Sequence, residues 1–195
     1  MSGAWLRAAS TLDDVAIVGL VDLDPARAEA RRSEFDLPDA QIGTDQEALL
    51  RQLQPDVVFD CTVPEAHTQV TVTALEHGCH VLGEKPLADS MANARTSLAA
   101  AAKADRIYAV IQNRRYDPNI RRLRRLLASH AIGPLTSVDA DFYLGAHFDG
   151  FRAEMDHVLL LDMAIHTFDA ARLISNADPV SVYCREWNAA GSWFA

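Results

Sequence analysis

The chain has 195 residues and a net charge of -9 at pH 7, with 49% hydrophobic and 23% charged residues. This composition is typical of a globular protein, and the acidic balance argues against a nucleic-acid partner, which requires a basic surface. The basic run Arg121 to Arg125 is interpreted as a solvated helix face or a subunit contact. Three scattered cysteines, no apolar run of membrane-spanning length and no signal-peptide pattern predict a cytoplasmic protein without a membrane partner.

The first half of the sequence alternates between strand-like and helix-like segments. The run Val15 to Val21 is almost entirely apolar and ends at Asp22, which is typical of a parallel strand covered on both faces. Thr44 and Glu47 have the spacing of a capping box, and Gly78 fits a helix end. This alternation predicts a doubly wound parallel sheet. The predicted order is helix 2–10, strand 15–21, helix 26–35, helix 44–53, strand 56–61, loop 62–65, a helix from that loop to residue 76, strand 79–82, helix 88–104 and strand 107–111.

The pattern changes near residue 117, where we place a domain boundary. A predicted helix from Pro118 to about His130 is followed by Leu135 to Leu144, whose alternation of apolar and polar residues indicates a half-buried strand. A helix over about 160–175 and a strand over 180–186 follow. The sequence therefore predicts a Rossmann-like domain over 1–117. It also predicts part of a second α/β domain, with an open and mainly antiparallel sheet, over 118–195.

The segment Gly83 to Pro86 brings a lysine, Lys85, to the end of a predicted strand. Pro86 has no N–H to donate to a ladder, so the strand ends there. Ligands of α/β folds bind at the carboxyl ends of the strands, which makes Lys85 a candidate site residue. A lone lysine in such a place is more often a solvated loop residue, and its neighbours must decide between the two interpretations.

A dinucleotide-binding fold begins with a strand, a Gly-x-Gly-x-x-Gly turn and a helix, because the glycines let the backbone approach the pyrophosphate. The sequence has no such turn and begins within the predicted helix, where Gly3 is a candidate remnant of it. Asp22 ends the next strand, where an acidic side chain binds the adenosine ribose and repels a 2′-phosphate, which favours NAD over NADP. Asp22 has an equally good alternative role in the turn before Pro25.

Five short sequence motifs occur in a fixed order along the chain. They are Val21-Asp22-Leu23-Asp24-Pro25, then Asp56-Val57-Val58 with Cys61-Thr62-Val63-Pro64 and His67, then Glu84-Lys85-Pro86, Asn113-Arg114-Arg115-Tyr116-Asp117-Pro118 and Asp162-Met163-Ala164-Ile165-His166. In this order they resemble the Gfo/Idh/MocA family of oxidoreductases, which includes glucose–fructose oxidoreductase and inositol dehydrogenase. Each segment alone is weakly specific, but the ordered set covers 15–175.

The resemblance implies an N-terminal dinucleotide domain, a C-terminal α/β domain and NAD(P)-linked redox chemistry on a sugar, polyol or related secondary alcohol. It implies that Lys85 is the catalytic lysine and that Asp162 and His166 complete the catalytic site, without a metal. An open sheet with an exposed face also favours a homo-oligomer. The cofactor-binding residues predicted in this way are Asp22, Thr62, Pro64, His67, Glu84, Lys85 and Asn113.

The spacing of Asp162 and His166 also indicates a catalytic pair without reference to the family. Residues four apart share a helix face, with Cβ atoms about 5–6 Å apart, and can address one substrate hydroxyl. Hydride transfer from a carbinol needs its O–H proton removed, which suits histidine near neutral pH. We predict that His166 accepts this proton, Lys85 stabilises the developing alkoxide and Asp162 orients the site, although Lys85 and His166 could exchange roles. The alternatives are an ion pair with Asp169 or a core histidine, and a metal site is disfavoured because no metal-ligand spacing is present.

Two departures from the family pattern bear on function. Ala164 replaces the glycine usual in the last motif, and the missing first strand would split the sheet into two halves with two unpaired edges. Together with the apolar end Trp193 to Ala195, this predicts a fragment of a longer protein. The alternatives for function are therefore a non-catalytic fragment or pseudoenzyme acting by association, and an NAD-dependent glycosidase of the same family. Further candidates for sugar contacts are Arg115, Arg152 and His157.

Overall fold

The computed structural model describes residues 2–143, 145, 147 and 150–187. The chain divides into two compact units, the first ending at Ile111 and the second beginning at Gln112, and each unit is treated by itself. Leu144 and the segment Trp193 to Ala195, which entered the sequence predictions, lie outside the described residues. No described helix is long and apolar enough to cross a membrane.

The first unit is a Rossmann-like α/β fold in which strands and helices alternate. The predicted helices and strands all form within a few residues of their predicted ends, except that the strand over 15–21 is confined to its last three residues. The elements are α1 (Ser2–Ala9), β1 (Gly19–Val21), α2 (Pro25–Glu34), β2 (Gln41–Gly43), α3 (Gln46–Leu53), β3 (Val57–Asp60), α4 (Pro64–Glu76), β4 (His80–Gly83), α5 (Met91–Ala104) and β5 (Tyr108–Val110).

The five strands of this unit form two parallel sheets. One sheet has the order β1-β2 and the other the order β3-β4-β5. Gly19 pairs with Gln41 in the first sheet, and Val57 pairs with His80 in the second. The strand β2 is absent from the sequence prediction, because three residues are too few for a periodic pattern.

The ends of the helices follow local capping chemistry. Asp45, rather than Thr44, is the N-cap of α3, and its carboxylate accepts the Ala48 N–H at 3.1 Å. The capping-box prediction was therefore wrong by one residue, because a carboxylate caps at least as well as a hydroxyl. Gly78 follows the C-cap of α4 with φ of +79°, the left-handed conformation that glycine adopts without strain.

The core of the first unit lies between α3, α4, α5 and the β3-β4-β5 sheet. Leu75 on α4 and Val81 on β4 are almost fully buried, at 1% and 0% exposure. The buried cluster consists of Leu50, Ala74, Leu75, Cys79, Val81 and Ala101. This packing fixes the positions of the carboxyl ends of β3 and β4, where the candidate site begins.

The second unit is helical in its described part. It contains a 3-10 turn (Asn113–Tyr116), α6 (Pro118–Ala128), a second 3-10 turn (Gly150–Ala153), a π-helical turn (Leu159–Met163) and α7 (Ile165–Ser175). The predicted strands over 135–144 and 180–186 are not formed in the described residues 135–143 and 180–186. An extended segment becomes a strand only when another strand supplies ladder partners. Val180 and Tyr183 are exposed, at 101% and 91%, so no described element covers these two side chains.

Candidate active site

Lys85 lies directly beyond the carboxyl end of β4, as the sequence predicted. Asp60, the last residue of β3, pairs in register with Gly83, the last residue of β4. The Glu84 N–H then donates to the Asp60 carbonyl at 2.8 Å. Lys85 is half-buried, and the Lys85–Pro86 peptide bond is cis. The two strand ends therefore present Asp60, Glu84 and Lys85 at one edge of the sheet.

A buried acid, Asp60, organises the loop that follows β3. It is 1% exposed and accepts hydrogen bonds from the Thr62 N–H at 3.1 Å and the Thr62 hydroxyl at 2.6 Å. The Thr71 hydroxyl donates to the same carboxylate at 3.3 Å, and the Nδ1 atom of His67 lies 3.1 Å from it. Thr62, a predicted cofactor contact, thus belongs to a loop held by one carboxylate, and Pro64, another predicted contact, begins α4 directly after that loop.

His67 is almost fully buried, at 1% exposure, beside this carboxylate. Its Nδ1 atom faces Asp60, whereas its Nε2 atom has no hydrogen-bond partner among the described residues. A buried polar atom without a partner is costly unless a ligand or water satisfies it. His67 is therefore a buried group that could bind a cofactor, and its role as a cofactor contact stays a prediction.

The Asp60 carboxyl is ionised in this environment. Burial disfavours its charged form, but the hydrogen bond and electrostatic interaction with His67 and the two bonds from Thr62 outweigh burial and lower the pKa of Asp60 from its ordinary 3.8. A lowered folded-state pKa stabilises the fold above the unfolded-state pKa. That stability is lost as the pH falls through the folded-state value.

We expect Asp60→Asn to destabilise the protein by about 1.5–3 kcal/mol near neutral pH, because the amide loses charge-assisted hydrogen bonds. The difference from wild type should shrink below about pH 4, where the wild-type carboxyl also loses its charge. Urea denaturation at a series of pH values measures this, with the exposed Asp13→Asn as the control variant. A deficit that stays constant into strongly acidic solution would contradict the role assigned to the Asp60 charge.

Glu84 is a second buried carboxylate, at 6% exposure. The indole N–H of Trp5 on α1 donates to it at 2.6 Å, and the Trp5 ring lies 5.2 Å from the Phe59 ring. Burial and the charges of Glu84 and Asp60 raise the pKa of the Cys61 thiol to about 12. Cys61 is therefore a neutral thiol rather than a nucleophile, chiefly because it is buried.

Asp22 follows β1 and is half-buried. One of its carboxylate oxygens accepts the Asp24 N–H at 3.0 Å, and Asp24 in turn is the N-cap of α2. The turn interpretation of Asp22 is thus present in the structure, and the ribose interpretation stays a prediction.

In the second unit, Arg115 and Asp169 form a two-pronged ion pair. The Arg115 Nε donates to both carboxylate oxygens of Asp169, at 2.7 and 2.8 Å. The hydrogen bond that Arg115 donates to Asp169 raises the pKa of Arg115. Asp169 therefore pairs with this arginine, and Asn113, a predicted cofactor contact, lies exposed in the turn two residues before Arg115.

Asp162 and His166 are both buried, at 1% and 9% exposure, but they do not share one continuous α-helix. Asp162 lies in the π-helical turn, in which the Ala164 N–H bonds to the Leu159 carbonyl at 2.7 Å, and His166 lies in the first turn of α7. The single helix predicted over 160–175 was wrong at this point. Wider turns of this kind are frequent at functional sites.

Arg152 holds the Asp162 carboxylate. Its Nε donates to Oδ2 at 2.7 Å, and its guanidinium lies 4.6 Å from the Phe151 ring centre. His157, another sequence candidate, is ion-paired with Glu186. Within the described ranges no three His, Cys, Asp or Glu side chains are grouped as metal ligands.

Comparison with known families decides which protein class this geometry belongs to. Residues 3–112 match the family model described as "Oxidoreductase family, NAD-binding Rossmann fold", and residues 120–192 match the "GFO/IDH/MocA C-terminal domain". The chain belongs to the Gfo/Idh/MocA oxidoreductase family. The resemblance predicted from the motif order is thereby confirmed.

The relatives that the chain matches include two enzymes named for reactions of sugars. The chain is 29% identical to 1,5-anhydro-D-fructose reductase of Ensifer adhaerens, over 90% of this chain and 54% of the relative. It is 28% identical to D-glucoside 3-dehydrogenase of Escherichia coli, over 84% of this chain and 48% of the relative. The chain spans about half the length of the curated relatives that it matches.

A solved structure supports the fold. The oxidoreductase of Agrobacterium radiobacter in complex with NAD+, L-tartaric acid and magnesium superposes with a TM-score of 0.72 at 24% identity. The alignment covers 87% of this chain and 50% of that one. At this identity the likeness concerns the fold alone.

Sequence analysis missed two residues of the candidate site, Asp60 and Trp5. Asp60 has a recognisable signal, because it is an acid that directly follows the apolar run Val57 to Phe59 and comes two residues before Thr62. Trp5 has no such signal, since its partner Glu84 is 79 residues away.

Proposed function

We propose that this protein is an NAD-dependent oxidoreductase that transfers hydride between the nicotinamide and a secondary alcohol carbon of a sugar or polyol. The observation that carries the proposal is Lys85 at the carboxyl end of β4, in the NAD-binding unit of a Gfo/Idh/MocA chain. The lysine adjoins Glu84 and the loop held by Asp60. A cation beside ordered acids at this edge suits a reaction in which negative charge develops on the substrate oxygen.

The residues present fit an oxidised nicotinamide cofactor. NAD supplies the hydride acceptor when bound. Asp60 and Glu84 are two buried carboxylates at the carboxyl ends of β3 and β4, and negative charge at this edge favours a cationic ring nearby. Asp22, at the end of β1, is placed to accept hydrogen bonds from ribose hydroxyls and to repel a 2′-phosphate, so we propose NAD rather than NADP.

The proton chemistry is proposed for three side chains. His166 accepts the hydroxyl proton of the substrate, and Lys85 donates a hydrogen bond to the oxygen as it gains negative charge. Asp162, held by Arg152, is the orienting group. Thr62, Pro64, His67 and Asn113 complete the proposed cofactor contacts.

The experiment is a substrate screen with the purified protein. NAD and a panel of inositols, glucosides and anhydro-sugars should give reduced nicotinamide, read by its absorbance, in step with formation of a ketone product. Bond cleavage without net cofactor reduction would instead establish a glycosidase. No reaction and no binding of NAD tighter than about 1 mM by calorimetry would support a non-catalytic protein. Light scattering tests the proposed homo-oligomer.

A further inference from the structure

The helix α6 carries four exposed arginines, Arg121, Arg122, Arg124 and Arg125. Among the described residues none of them forms an ion pair with a carboxylate. Two of them donate only to neutral side-chain amides. Arg122 reaches the Asn119 oxygen at 3.4 Å, and Arg124 reaches that of Asn176 at 3.5 Å. The helix therefore has an excess of positive charge on a chain that is acidic as a whole.

Arginines on the helices of the first unit are balanced by acids. Arg51 of α3 pairs with Glu47, four residues earlier, and Arg32 of α2 pairs with an acid three residues earlier at 2.7 Å. Opposite charges at these spacings stabilise a helix, whereas like charges four residues apart destabilise it. In α6 the residues at this spacing, Arg121 and Arg125, are both positive. Their repulsion lowers the stability of the helix, so helix formation alone does not explain them.

The start of α6 adds to this cost. Arg121 is the fourth residue of the helix, in the first turn, where the helix dipole disfavours a cation. The acid that precedes the helix, Asp117, is its N-cap. The Asp117 carboxylate accepts the N–H groups of Asn119 and Ile120, at 2.8 and 3.2 Å. It therefore satisfies the backbone at the start of α6 and does not pair with Arg121.

Three of these arginines line a cavity of about 320 Å³ in the second unit. The lining residues come from the first 3-10 turn, α6 and α7, and they are Arg115, Tyr116, Arg121, Arg124, Arg125 and Leu173. None of them is an acid. Arg115 is already paired with Asp169, so the cavity presents three guanidinium groups that no described carboxylate balances.

The arrangement of these groups fits a phosphoryl ligand. Arg121 lies three residues before Arg124 and four before Arg125, and Cβ atoms at these spacings are about 5–6 Å apart on one flank of a helix. Guanidinium groups donate paired N–H bonds that match the oxygens of a phosphate. A phosphoryl group carries a charge of about -1.5 to -2 at neutral pH, which balances three arginines better than a single carboxylate does.

The rest of the lining suits the organic part of a small molecule. Leu173 of α7 is an apolar residue at 9% exposure, and Tyr116 offers a ring and a hydroxyl at 69% exposure. The volume is at the lower end of the range of small-molecule sites, which begins at about 300 Å³. The cavity is therefore suited to a compact ligand.

We propose that this cavity binds a small molecule that carries a phosphoryl group. Arg121, Arg124 and Arg125 donate hydrogen bonds to the phosphoryl oxygens, while Tyr116 and Leu173 contact the organic part. The bound anion offsets the repulsion between the arginines. A ligand that binds only the folded chain in this way also stabilises it.

Calorimetric titration of the whole chain with inorganic pyrophosphate, in a buffer without phosphate or sulfate, tests the proposal. We expect a dissociation constant below about 1 mM that rises with ionic strength. In NMR spectra, pyrophosphate and glycerol phosphate should both shift the side-chain Nε–H signals of Arg121 and Arg125 but not that of Arg122, which does not line the cavity.

Three results of these titrations would overturn the proposal. Absence of pyrophosphate binding would remove the site, and binding that leaves the Arg121 and Arg125 signals unchanged would place the anion elsewhere on the chain. Equal affinity for succinate, a dianion without a phosphoryl group, would show attraction to charge alone. A single-stranded oligonucleotide that shifts the two signals where pyrophosphate does not would identify a polymer as the ligand instead.

Two double variants provide an independent readout. Arg121→Gln/Arg125→Gln should weaken pyrophosphate binding by about tenfold or more, because charge-assisted hydrogen bonds are lost. The matched control Arg95→Gln/Arg122→Gln removes the same charge at exposed positions outside the cavity and should stay within about twofold of wild type. Equal weakening in both double variants would contradict a specific site.

Thermal unfolding without ligand separates a binding role of the arginines from a structural role. Arg121→Gln/Arg125→Gln removes two like charges four residues apart, so the melting temperature of this variant should equal or exceed that of wild type. A lower melting temperature would show that the two arginines stabilise the fold itself, and it would overturn their assignment to a ligand.

Discussion

Replacing Lys85 by alanine is expected to reduce kcat/KM by about 10²–10⁴-fold, the usual contribution of a positioned acid–base or oxyanion-stabilising group. The side chain lies one residue past Glu84 at the carboxyl end of β4. Its loss removes the cation that the proposed reaction needs at the substrate oxygen. Because Lys85 is half-buried and does not belong to the core cluster, the variant should keep its fold. Steady-state kinetics with NAD and the best substrate of the screen measure the effect.

The sequence provides a matched control for this experiment. It contains two lysines, Lys85 and Lys103, and Lys103 is exposed in the last turn of α5. Lys103→Ala should leave kcat/KM within about twofold, since surface changes away from a site have small effects. Lys85→Arg keeps the charge but not the shape of the donor, and should recover part of the activity. Wild-type rates in Lys85→Ala would remove the lysine from the mechanism.

The alternating elements of the first unit were predictable from sequence because each has its own local signal. The runs around Val58 and Val81 are continuous and apolar, and Gly78 and Pro25 mark helix boundaries. The three-residue strand β2 could not be predicted, because it is defined by its pairing with β1 rather than by composition. Its exposed residue Gln41 gives no periodic signal.

The candidate site was predictable where it depends on strand ends and not where it depends on long-range pairing. Lys85 follows from the position of a strand and a proline. The pairs Asp162–Arg152 and Asp169–Arg115 do not, since each needs the tertiary fold to bring opposite charges together. The π-helical turn is also invisible in the sequence, because a turn wider by one residue leaves no compositional signal.

The strands predicted over 135–144 and 180–186 were wrong for a related reason, because strand formation also depends on long-range pairing. Alternation identifies a segment that fits a half-buried strand, but a ladder also requires a partner at the correct distance. Val138 is 43% exposed and Val182 is 86% exposed, so among the described residues no sheet covers either segment.

Replacing Arg152 by methionine is expected to destabilise the second unit by about 3 kcal/mol, because it removes a charge partner of a buried carboxylate. Asp162 is 1% exposed, and the Arg152 side chain is 23% exposed, so solvent screens the pair only weakly. Methionine keeps the length and apolar character of the arginine stem. The loss of stability should therefore come from the missing guanidinium charge and not from a cavity. Chemical denaturation followed by circular dichroism measures the change.

Arg114→Met is the matched control for this variant. Arg114 is exposed, and its guanidinium lies 5.2 Å from the ring centre of Phe142, so the control loses the same kind of arginine–aromatic contact. Arg114→Met should lower the free energy of unfolding by no more than about 1 kcal/mol. The double variant Arg152→Met/Asp162→Leu removes both charges and should recover most of the stability lost in Arg152→Met, because no buried carboxylate then remains without its arginine. Equal losses in the Arg152 and Arg114 variants, or a double variant no more stable than Arg152→Met, would show that Asp162 does not depend on Arg152 for its charge.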